Sequence, residues 1–225
     1  KYHDGMLTIL MAVLILSQLI GMLIWGPVMT KTSKRTTILI GAPIRIISTL
    51  GLIAFSHENA AIVPILIMTA GIGIGNAATL TSIFAIMADM PDVDELITSV
   101  SRPGTVSGMA TFARKISAGV SAGLIGVLLS IVGYDADIAK AGARQVASTQ
   151  AGIAWIYILM PVLLVVCLII FGYKFPMAEK EFDVIQREIA RRKGEDASIA
   201  TEEEKKICEL VTGFSYDKLW RKDNI

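Results

Sequence analysis

The chain has 225 residues, 53% hydrophobic and 18% charged, with a formal net charge of +1 and a mean hydropathy of +0.61. Near-neutral charge gives no footing for nucleic acid, and apolar runs of about 20 residues exceed what a soluble core requires. The two cysteines, Cys167 and Cys208, fall in an apolar run and a polar tail and form neither a metal spacing nor an evident disulfide.

Five runs read as membrane-spanning helices in an all-α integral membrane bundle. They cover residues 6–29, 38–55, 60–87, 104–132 and 152–173, and none contains Asp or Glu. Helices satisfy every backbone group inside lipid, and these runs are too long for barrel strands. The second run carries Arg45, about 10 Å in from its start at the helical rise and within reach of the interface. The third carries Gly71, Gly73, Gly75, Asn76, Thr79 and Thr81. Its spacing is not a nucleotide fingerprint; close helix packing with a local unwinding accounts for the glycines. Asn76 is either a donor to a solute hydroxyl or a hydrogen bond between helices, and Gln18 in the first run is a weaker candidate of the same kind.

Between the third and fourth runs lie Asp89, Asp92, Asp94, Glu95 and then Arg102. On a loop, these charges are either a cytoplasmic gate built on Asp89, Asp92 and Arg102 or a solvated connection. In the fourth run Ser107, Thr111, Lys115, Gly119 and Gly123 recur every four residues on one stripe. The small residues allow close approach of a neighbouring helix. Lys115 lies about 16 Å from Gly104, near mid-bilayer, beside Arg114. A charge there is expensive and expected to be functional, either linked to a solute or cation or held in a structural ion pair.

Short connections set the orientation. One side receives Lys31, Lys34, Arg35, Arg102, Lys174 and Lys180; the other receives Lys1, Lys140 and Arg144. The tail, residues 174–225, is therefore expected in the cytoplasm of a cell whose inner or plasma membrane holds the bundle. Trp25, Tyr134, Trp155 and Tyr173 are placed for an interfacial belt. The tail holds 11 basic and 12 acidic residues. Phe182, Ile185 and Ile189 share a helical face there, Thr201 with Glu204 makes a capping box, and Gly213 ends that helix. These elements either cover the inner ends of the spans or bind a partner. His3 and His57 fall on external connections. With no carboxylate pair, nucleophile–base set or metal cluster at membrane depth, neither an enzyme nor a metal site is expected.

Taken together, Ala88-Asp89-x-x-Asp92, Arg102-Pro103-Gly104, Ser107-Gly108-x-x-Thr111-Phe112-x-Arg114-Lys115 and Gly133-Tyr134 resemble the signature of the glycoside–pentoside–hexuronide:cation symporters. Residues 210–220 are similar to the tails of some members. Gly26, Lys31, Lys34 and Arg35 match a loop motif of the major facilitator superfamily, with Thr30 and Ser33 departing from it. Val93 and Thr105 also depart from the symporter pattern. The resemblance implies the C-terminal half of a twelve-span major facilitator fold, these being spans eight to twelve. It implies alternating access for a small-molecule sugar or glycoside, driven by Na⁺ or H⁺ bound mainly by an N-terminal six-helix bundle of the same protein, with no other cofactor. On it, Lys115 and Thr111, with Asn76 and Arg45, are the substrate- or cation-linked residues. The other account is a non-transporting membrane scaffold or sensor acting through its cytoplasmic tail.

Overall fold

A computed structural model describes residues 4–55 and 61–221; Lys1, His3 and His57 lie outside them. The helices are α1 (Asp4–Lys31), α2 (Lys34–Ala54), α3 (Ile62–Thr98), α4 (Pro103–Ile131), α5 (Ala136–Lys140), α6 (Ala147–Lys174), α7 (Glu179–Lys193) and α8 (Glu202–Thr212), followed by a 3₁₀ turn at Tyr216–Lys218. Among the described residues there is no strand, and five helices (α1, α2, α3, α4 and α6) are long and apolar enough to cross a membrane.

The chain packs around α3. Helices α1 and α2 flank it, and α6 lies on α2. The approach is so close that side chains have no room. A Cβ built on Gly41 would fall 2.1 Å from the Ala78 Cβ, and one on Gly73 would fall 2.7 Å from the Leu14 carbonyl. The glycines of α3 thus serve close packing, and the helix runs through them without unwinding. Trp25 belongs to the same seam rather than to an interfacial belt. It is 7% exposed against Ala77 and Ala78, and its indole N–H donates to the Ile74 carbonyl at 3.0 Å.

Two boundaries differ from the sequence reading. Helix α2 begins at Lys34, capped by the Ser33 hydroxyl accepting from the Thr36 N–H. Arg45 is therefore about 16 Å along the helix, whose first turn is the charged Lys34 and Arg35 ahead of the apolar run. The larger correction concerns residues 88–98, which continue α3 as helix instead of forming a loop. At 37 residues α3 is roughly 55 Å long, against about 30 Å of hydrocarbon, so a polar post projects beyond the bilayer.

The tail folds onto that post. Leu96, Val184, Ile185, Ile189, Cys208 and Leu219 form one buried cluster shared by α3, α7, α8 and the final segment. Helix α8 starts at Thr201 with the reciprocal Thr201–Glu204 box and stops at Gly213, whose φ of 74° suits glycine. Helix α4 is the opposite case. Over its 29 residues none is buried.

Candidate functional site

The polar residues at membrane depth do not converge. Asn76 donates to Gln18 Oε1 at 3.0 Å, joining α3 to α1, so within this chain it is an interhelical bond. The Thr79 hydroxyl turns back to the Gly75 carbonyl at 3.4 Å, while those of Thr81 and Ser82 are buried and find no partner among the described residues.

Arg45 is pressed against α3, where a Cβ on Gly75 would lie 2.7 Å from the Arg45 nitrogen and 2.8 Å from its Cβ. The residue also lines a cleft between α2 and α6 with Ile46, Thr49, Pro161, Val162 and Val165. Among the described residues the guanidinium has neither ion pair nor hydrogen bond.

Lys115 and Arg114 are exposed on α4, also without an ion pair or hydrogen bond among the described residues, and Thr111 above them is partly exposed. The small-residue stripe is open: a Cβ on Gly108, Gly119, Gly123 or Gly126 meets nothing within 4 Å. The close helix–helix contact that the stripe implies is thus not made among the described residues. Met109, Phe112, Ile116, Val120 and Leu124 are exposed as well. One helix therefore carries an ammonium, a hydroxyl ladder and a groove for another helix, with all three surfaces uncovered.

The charges do converge at the tail end of the bundle. Each carboxylate of the α3 post meets a partner from another segment. Asp89 pairs with Lys34 of α2, which also lies 4.8 Å over the Phe182 ring of α7. Asp92 accepts from Gln186 of α7 at 3.4 Å, and Glu95 pairs with Lys193 at 2.7 Å. Arg102, the residue before α4, places a fork on Asp94 at 3.0 and 2.8 Å. Such two-pronged pairs fix geometry as well as charge. The expected gate residues are thus present at one end, but Arg102 takes Asp94 rather than Asp89 or Asp92. Arg35 stacks over Tyr173 at 5.0 Å and ties α2 to the end of α6.

Behind this hub lies a carboxylate that sequence reasoning passed over. Glu188 is 1% exposed and accepts from Tyr216 Oη at 2.5 Å, Arg192 Nε at 2.8 Å and Arg191 Nη1 at 3.2 Å. Its signal was present: it sits three residues after Ile185 on the apolar face, with arginines three and four residues on. Arg191 also reaches Glu204 at 2.9 Å, linking α7 to α8. Burial, reinforced by the charges of Glu188 and Glu204, pushes the Cys208 thiol up to about 12. Burial and the bond to Glu188 push the Tyr216 phenol up to about 12. Both groups are therefore held neutral inside the docked tail.

Residues 2–179 match the sequence model of the family described as MFS/sugar transport protein. The chain is 32% identical to a putative sulfoquinovose importer of Escherichia coli (strain K12), over 53% of this chain and 24% of that protein. It is 27% identical to a glucuronide carrier protein homolog of the same strain, over 84% of this chain and 40% of that protein. A putative sulfoquinovose importer of Salmonella typhimurium is 32% identical over 49% of this chain and 22% of its own length. The chain thus spans less than half the length of these relatives. No solved structure matches the chain.

Proposed function

The chain belongs to the MFS/sugar transport protein family, and from that premise we propose that it forms the C-terminal half of a secondary active transporter for a sugar or glycoside. The observation that carries the reading is α4. A 29-residue apolar helix bearing Lys115 and Thr111 has no fully buried residue among the described residues. An ammonium at that depth is tolerated only against protein or water, so α4 is one wall of a passage. Helices of the remaining half form the opposite wall and supply negative charge to Lys115. Alternating access follows from rocking one half against the other about this wall, driven by a gradient of Na⁺ or H⁺. Basic residues gathered at the tail end support a cytoplasmic side for that end, in a cell whose inner or plasma membrane holds the bundle.

Charge supports a solute class. Arg45, Arg114 and Lys115 lie at membrane depth, where residues 6–29, 38–55, 62–87, 104–131 and 152–173 contain no acid. With Lys115 matched from the opposite wall, the positive charge that remains suits a sugar carrying an acidic group. Sulfoquinovose and glucuronides, named for the relatives, are sugars of that chemistry.

The test is uptake of a radiolabelled glucuronide by the full-length protein in energised membrane vesicles. Lys115→Ala should lower gradient-driven accumulation at least tenfold, with partial recovery in Lys115→Arg. Unchanged accumulation in Lys115→Ala removes the residue from transport.

A further inference from the structure

The last described residues of the chain close onto the end of α3. Trp220 N–H donates to the Leu96 carbonyl at 2.9 Å and Arg221 N–H to the Ile97 carbonyl at 3.2 Å. The segment from Gly213 to Arg221 is thus a strap whose backbone donors meet two carbonyls in the last turn of α3. Leu219, 2% exposed, anchors it beside Leu96. Glu188 pins it from behind through the Tyr216 hydroxyl.

The same stretch of α3 governs how α4 departs. Ser99 turns the chain with a left-handed φ of 57°, and Arg102 leads into α4 while forking onto Asp94. This turn and this fork fix the start of α4, while its other end meets α6, where the Thr149 hydroxyl donates to the Gly133 carbonyl at 3.3 Å. Strap and fork therefore act within four residues of each other, on Asp94, Leu96 and Ile97.

The strap is held under tension. Trp220 takes a φ of 65°, a left-handed conformation that a bulky side chain adopts only when its surroundings impose it. In that conformation its N–H bonds the Leu96 carbonyl, and Leu219 and Arg221 on either side are held as well. Gly213, at φ 74°, gives the strap a swivel at its base. Relief of strain on undocking and a pivot to undock about are both present.

We propose that the strap is a releasable latch: docked, it holds the last turn of α3 so that Arg102 meets Asp94 and α4 leaves at one fixed angle; undocked, it lets that turn loosen and α4 swing. Glu188 is the positioning residue of this latch, acting through Tyr216. The latch is independent of what the protein carries, since no solute takes part in it.

The test uses the full-length protein in nanodiscs with two readouts. Alkylation of Cys208 by N-ethylmaleimide, followed by mass spectrometry of its tryptic peptide, reports opening of the tail core. Ketoxime spin labels on p-acetylphenylalanine at Ala88 and Met109, both exposed, report the α3–α4 distance by double electron–electron resonance. Glu188→Gln keeps the shape and an acceptor for Tyr216 but drops the charge that holds both arginines. A chain ended after Thr212 removes the strap outright and serves where the point variant changes too little. Either variant should raise Cys208 alkylation at least tenfold and add a second distance population holding a third or more of the molecules. The control Glu203→Gln, on the exposed side of α8, should change neither. Faster alkylation with an unchanged distance distribution would overturn the coupling. No change in alkylation in either variant would overturn the latch.

Discussion

Helices α3 and α4 are built from similar materials and end up in opposite surroundings. Both are long, apolar and sprinkled with glycine, and both carry hydroxyls at membrane depth. In α3 the glycines are filled by Leu14, Ser17, Ser48 and the Arg45 backbone, and Asn76 finds Gln18. In α4 the glycines face nothing, and Lys115 has no partner among the described residues. A small-residue stripe in an apolar helix signals that another backbone comes close, without saying whose. For α3 the chain itself answers; for α4 the reading proposed above assigns the neighbour to another half of the transporter.

The contrast can be broken where each region is tightest. Glu188→Ala leaves two arginines and a phenol around an empty space, and removing one partner of a buried ion pair costs about 3–5 kcal/mol. Hydrogen exchange across α7 and α8 should rise accordingly, while α1 and α2 exchange as before. Gly73→Val drives side-chain atoms into the Leu14 carbonyl and Ser17, an overpacking worth about 1–3 kcal/mol. Gly119→Val sharpens the comparison. In the full-length protein it should cost a similar amount if the α4 stripe is covered, read as a fall in melting temperature; a melting temperature unchanged by Gly119→Val would leave the stripe facing lipid. Removal of the α8 cap in Thr201→Ala should cost about 1 kcal/mol, confined to the tail.

The tail also has a pH signature. Cys208 and Tyr216 have raised pKa values when docked, so the docked state binds more protons than the released one at alkaline pH. Their contribution is complete below about 9 for the thiol and about 10 for the phenol. It fades as pH climbs towards 12, where the docked groups themselves ionise. A nitroxide on Glu203 should therefore gain mobility between pH 9 and 12, and Tyr216→Phe, which loses both the titrating phenol and its bond to Glu188, should start more mobile and rise less across that range. Mobility flat across the range would mean that neither group senses docking.

How much of this was legible depended on distance along the chain. The five spans were readable because each is a local excess of apolar residues, and the α8 cap was readable because Thr201 and Glu204 are three residues apart. The α3 post was misread for a physical reason. Pro91 removes a helical donor, which in isolation costs about 3 kcal/mol, and four carboxylates in seven positions look solvated. What offsets these costs is remote: Lys34 is 55 positions from Asp89, Gln186 is 94 from Asp92, and Leu219 covers Leu96. Asn76 was equally undecidable without Gln18, 58 positions away. Trp25 fell at a predicted span end, yet α1 runs six residues beyond it and turns the indole into the α3 seam.

The account rests on which face of α4 meets water. The direct measurement is a cysteine scan of the full-length protein in membranes with a membrane-impermeant maleimide. Ser107→Cys and Thr111→Cys, on the Lys115 stripe, should label, whereas Met109→Cys, Ile116→Cys and Val120→Cys, on the opposite face, should not. Labelling of the Met109 face with protection of the Thr111 face would put Lys115 outside the passage and contradict the account.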